Sequence, residues 1–116
     1  MIVAIQGTKN FDDYSVFLRA MGTAMSSMNA EEQSILIYSA GPYQINAMAM
    51  EFVNVSERSL KARGIKIRLI KIPPVWIEEN ITTIDYFAFF GKPKEPVSKL
   101  VDLADAKDVN VGVYRY

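Results

Sequence analysis

Five short apolar runs recur along the chain: Ile2–Ile5, Ser34–Tyr38, Ile65–Ile72, Ile84–Phe90 and Val109–Tyr114. Runs this short and this continuous suit strands buried on both faces, as in a parallel sheet. Between most of them the apolar residues return at helical spacing. Phe11, Tyr14, Leu18, Met21, Met25 and Met28 form one such face. Asn10 is the expected N-cap, Asp12 and Asp13 the expected acidic first turn, and the helix should fray near Asn29 or end a little earlier. A longer helix should enter at Pro42 and bury Ile45, Met48, Phe52, Val55, Ser59 and Leu60, with Gly64 ending it after Lys61 and Arg63. Pro73-Pro74 stops the third strand, and residues 75–83 read as one short helical turn and a loop. Pro96 opens a last helix carrying Val97, Leu100, Val101 and Ala104. Strands alternating with helices across short connections predict one α/β domain over residues 1–116, a parallel sheet of about five strands with helices on both faces.

The chemistry open to such a domain is narrowed by what it lacks. There is no histidine and no cysteine among the 116 residues. Ser-His-Asp and Cys-His mechanisms, disulfides and thiolate metal sites are therefore excluded. Thirteen basic residues balance thirteen acidic ones, which is not the footprint of a general nucleic-acid binder. Glu78, Glu79 and Asp85 do not have the spacing of a metal site, and no cofactor is expected. The start "MIVAIQG" has no basic leader, and no apolar stretch reaches the ~20 residues of a membrane span. A cytoplasmic protein is the expectation, and the sequons at Asn54 and Asn80 are accidental on that view.

In parallel α/β sheets ligands bind at the carboxyl ends of the strands, where the strand order reverses. Three polar turns that carry glycine should meet there: Gln6–Asn10, Ser39–Asn46 and Gly91–Lys94. Gly7, Thr8 and Lys9 offer amides, a hydroxyl and an ammonium to a phosphate at a helix N-terminus. Ser39, Gly41, Tyr43, Gln44 and Asn46 could hydrogen-bond or stack on the rest of a nucleotide, and Gly91 and Lys92 could add positive charge. The plainer reading of the same residues is tight turns, helix capping and solvated lysines. The methionines read as core or as an oligomer seam. The aromatic run Tyr86–Phe90 reads as core, or as a self-association surface if any of it is exposed.

The opening "VAIQGTKNFDDYSVF" resembles that of the SLOG superfamily, which includes YspA-like proteins, the DNA-processing protein DprA and the Lonely Guy cytokinin-activating enzymes. Its YspA-like branch begins with a strand, then Gly-Ser/Thr-Arg/Lys-x-Phe, then a helix. Gly7, Thr8, Lys9, Asn10 and Phe11 stand at those positions. "YSAGPYQINAMAMEF", "KARGIKIRLIKIPPVW" with Trp76, and the closing "DYFAFFGKPKEPVSKLVDLADAKDVNVGVYRY" are similar in layout. The resemblance implies a Rossmann-like fold that binds a nucleotide or a nucleotide derivative, in a homo-oligomer. The second turn departs from the pattern, with Ala40, Pro42 and Asn46 where the family offers glycine and an acid. The third has Pro93, Glu95 and Pro96 in place of the glycine run of the Lonely Guy enzymes, whose catalytic Arg and Glu have no counterpart. With no nucleophile–base pair, the expectation is binding or sensing of a nucleotide-like small molecule rather than turnover. The alternatives are a structural or interaction accessory protein of phage type with a degenerate pocket, and a nucleotide N-glycosidase.

Overall fold

A computed structural model describes all 116 residues. The chain runs β1 (Ile2–Gly7), α1 (Tyr14–Met25), β2 (Ser34–Ser39), α2 (Tyr43–Ala62), β3 (Lys66–Lys71), α3 (Pro74–Glu79), a 3₁₀ turn at Ile81–Thr83, β4 (Tyr86–Gly91), α4 (Lys99–Ala106) and β5 (Asn110–Arg115). All four strand pairings are parallel, in the order β3-β2-β1-β4-β5. This is a Rossmann-like α/β sheet. The chain steps outward from β1 to β3, then returns across the sheet to β4, so the order reverses between β1 and β4.

Two cores sandwich the sheet. On one face α1 and α2 pack Phe17, Met21, Ile45 and Val53 against Val3, Ile5, Ile37 and Phe90. On the other, Ile77 of α3, Ile81 and Ala104 of α4 cover Ala4 and Phe87. Every residue of β4 is buried, so its aromatic run is core and exposes no self-association surface. Phe90 is the hub of that core, with ring centroids 5.1, 5.2 and 5.3 Å from those of Phe11, Phe17 and Tyr114. Trp76 stacks on Tyr38 at 4.1 Å, which seats α3 over β2. Gly112 leaves room for the Tyr86 hydroxyl, which shares a hydrogen bond of 2.7 Å with that of Tyr114. A Cβ on Gly112 would lie 2.1 Å from that hydroxyl. No helix is long and apolar enough to cross a membrane.

Four local expectations are corrected. Asp13, not Asn10, caps α1, because its carboxylate reaches the Val16 amide at 3.1 Å. Phe11 is fully buried and holds the preceding loop out of the helix. Pro42 is the N-cap of α2 rather than its first residue, and the Gly41-Pro42 peptide is cis. The buried stripe of α2 is Ile45, Ala49, Val53 and Leu60, so Val55 is 69% exposed. Met48 and Phe52 stay half-buried against the same core, so the helix is rotated only far enough to bring Ala49 and Val53 onto the sheet. In the last helix Val97 lies outside α4, whose N-cap is Ser98, bonded to the Leu100 amide at 3.2 Å.

This rotation of α2 fixes the relative cost of two conservative truncations. Val53→Ala should lower the unfolding free energy by about 1.5–3 kcal/mol, while Val55→Ala should change it by no more than about 0.5 kcal/mol. Urea denaturation of both variants measures this, and the reverse order would contradict the assigned helix face.

Candidate functional site

The three polar turns do meet at the carboxyl edge of the sheet, and they touch one another. Gly7 donates its amide to the Gly41 carbonyl at 3.0 Å, and Thr8 donates its amide to the Phe90 carbonyl at 2.9 Å. The Gln44 amide nitrogen donates to the carbonyls of Lys9 and, at 3.0 Å, Phe11. The backbone amides of Gly7 and Thr8 are thus spent within the chain. Gly7 is not open to a ligand either: a Cβ there would lie 2.6 Å from Ile45 Cδ1 and 3.0 Å from the Phe90 carbonyl oxygen. Its lack of a side chain lets α2 pack onto β1.

Ser39 is 1% exposed. Its hydroxyl donates to Asn46 Oδ1 at 2.5 Å and accepts from the Gly41 amide at 3.3 Å. Ser39 and Asn46 therefore brace the turn. Gly41 sits at φ 81°, the left-handed region where glycine is favoured. Tyr43 is 82% exposed and Lys9 is exposed. A hollow of about 290 Å³ lies beside α2, lined by Tyr43, Asn46, Met50, Glu51 and Lys71 among others. No side chain caps the α2 N-terminus next to it.

At the strand-order reversal stands a residue that the sequence reading left out of the site. Glu95, in the loop after β4, reaches back across the cleft. Its Oε1 accepts from the Thr8 hydroxyl at 2.6 Å and from the Lys92 amide at 2.8 Å, and its Oε2 accepts from Asn10 Nδ2 at 3.1 Å. Lys92, expected to face a ligand, instead bonds Asp12 at 2.8 Å, and that carboxylate holds the ammonium above its ordinary range. Arg115 donates to the carbonyls of Pro93 and, at 2.9 Å, Glu95. A loop of lysines and prolines is thereby tied to the connection between β1 and α1 and to β5. The nearest sequence signal was Glu95 itself, an acid where the resembling family carries glycines.

These bonds also decide what Glu95 can do chemically. The Thr8 hydroxyl, then the Lys92 amide, hold its carboxyl below the ordinary value of 4.5. A carboxylate so engaged on both oxygens is a poor general base, since its pKa moves away from the operating pH. Asp85 is likewise committed, accepting from the Ile2 amide at 2.7 Å, while Glu78 and Glu79 are exposed. The amide oxygen of Gln6, at the end of β1, is buried without a partner.

The sign of the Glu95 shift sets a pH window. Because the folded-state value is depressed, the loop contacts contribute stability above pH 4.5 and lose it as pH falls through the folded value. Carboxyl NMR should find the Glu95 midpoint below 4.5, and Thr8→Val, which removes the leading donor, should raise it. A midpoint unmoved by Thr8→Val would contradict the contact.

Comparison with family models, with curated proteins and with solved structures finds no match. What this rim can do is therefore argued from its geometry.

Proposed function

We propose that this protein works without catalysis, as an interaction protein on a Rossmann-like scaffold whose nucleotide cleft is closed by its own chain. One observation carries the reading: Glu95 takes the place of an anionic ligand, accepting hydrogen bonds from the Thr8 hydroxyl, the Lys92 amide and the Asn10 side chain. Donors gathered in polar turns at the carboxyl edge attract a negative charge, and here the loop after β4 supplies it covalently. A phosphate would have to displace a carboxylate tethered within the same chain, which enjoys a high effective concentration. N-glycosidase chemistry would ask for a pair of free carboxyl groups, and Glu95 is engaged on both oxygens.

A second reading, a nucleotide or nucleotide-derivative ligand bound outside the closed cleft, is favoured by the hollow beside α2. Exposed Tyr43 offers a ring face, Asn46 an amide and Lys71 a cation near an uncapped helix N-terminus. On the first reading a homo-oligomer would place the exposed Tyr43 and Met50 of α2 against another copy.

Amide NMR of the isotope-labelled protein separates the two readings. On the first, nucleoside mono- and diphosphates at about 1 mM, where an interaction of about −4 kcal/mol registers, shift neither rim. Shifts at Thr8 and Lys92 would overturn the closed cleft. Shifts confined to Tyr43, Asn46 and Lys71 would establish the second reading.

A further inference from the structure

The interaction reading leaves open which surface is used, and one edge of the sheet stands out. Strand β3 has a neighbour on one side only, β2. Its outer edge therefore presents unpaired backbone N–H and C=O groups, a template for another strand. Between residues 58 and 71 the chain carries Arg58, Lys61, Arg63, Lys66, Arg68 and Lys71, and no acidic residue. All six are exposed, and none is in an ion pair: the molecule's two salt bridges are Met1–Glu32 and Lys92–Asp12. Beside this edge lies a trough of about 310 Å³ between the end of α2 and β3, lined by Glu57, Lys61, Ile65, Lys66, Ile67 and Arg68. Lys71 lines the hollow at the other end of the strand.

We propose that the β3 edge is a docking site for an extended acidic peptide segment of a partner protein, added to the sheet as a sixth strand. This rests on the interaction reading above and names its partner class. Main-chain hydrogen bonds to β3 supply affinity, and alternate side chains supply specificity. The acidic side chains meet Lys66 and Arg68 on one face of the strand, while the intervening ones lie toward the opposite face, which carries Ile65, Ile67 and Lys71. Two other occupants fit the edge less well. A second copy paired antiparallel about the middle of KIRLIK sets Lys66 opposite Lys71 of the other copy, and like charges directly opposite are destabilising. A nucleic acid strand has no pattern of donors and acceptors to match a β edge. The trough also offers no aromatic ring for base stacking.

Lysines on an edge strand also deter unwanted pairing. A deterrent repels every strand, whereas the proposed site discriminates by charge, and that difference is measurable. The probe is a capped peptide of about eight residues, a long strand's length, alternating Glu and Thr, titrated into the labelled full chain at low salt. It should shift the amides of Lys66–Lys71 and slow their hydrogen exchange, and a Lys/Thr counterpart should do neither. Lys66→Glu/Arg68→Glu should weaken binding by about tenfold or more, while Lys107→Glu, on the far side of the sheet, should change it by less than about twofold. Raising the salt concentration should weaken binding to the unaltered protein, a readout independent of how well the double variant folds. The proposal is overturned if the acidic peptide leaves the β3 amides unmoved, or if the Lys/Thr peptide binds as well. It is equally overturned if a thymidine oligonucleotide of similar length shifts those amides and the acidic peptide does not, or if the chain pairs with itself through β3. Failure here leaves the closed cleft standing, because that cleft is read from Thr8 and Lys92, which follow β1 and β4, and β2 lies between those strands and β3.

Discussion

Strand β1 is held on both edges by parallel partners and covered on both faces, and the rest of the molecule is arranged around that confinement. Val3, Ala4 and Ile5 are fully buried. Their backbone is paired to Ile37–Ser39 on one side and to Tyr86–Ala88 on the other. Because parallel strands all finish at the same edge, Gly7, Ser39 and Gly91 arrive together with their polar loops. Three loops then compete for one small space in which unpaired backbone groups are costly. The observed solution is that the loops satisfy one another.

That solution has a functional consequence. The carboxyl edge of a Rossmann-like sheet gathers donors suited to an anion, and the gathering persists here: a hydroxyl, an amide and a side-chain amide converge on a single carboxylate. The anion belongs to the chain. Gly7, the residue type most suggestive of close ligand approach, is explained instead by Ile45 packing over it. The site keeps the electrostatics of an anion receptor and lacks its vacancy, which directs attention to the outer surface, where the unpaired cations and the free strand edge lie.

The strands were legible because period-free apolar runs bounded by Gly, Pro and Asn admit few other readings. "YFAFFG" could hardly be anything but a central strand. The parallel order followed from the alternation with helices. What escaped was decided by tertiary packing. Val55 looks inward by spacing alone, yet α2 turns Ala49 and Val53 to the sheet. Asn10 looks like a cap until Phe11 is seen to be buried, which leaves Asp13 as the residue positioned to serve. The three turns of the site could be placed on one rim from the sequence. That they consume each other's donors could not, because the pairs are far apart in the chain: 87 residues separate Thr8 from Glu95.

The account stands or falls on whether the loop after β4 is fastened to the cleft by Glu95 in solution. Hydrogen exchange of the Lys92 amide, which donates to Glu95 Oε1 at 2.8 Å, reads that contact directly. The amide should be protected in the unaltered protein and lose its protection in Glu95→Ala, while Gly7, bonded to the Gly41 carbonyl, stays protected in both. A Lys92 amide that exchanges freely in the unaltered protein would contradict the closed cleft.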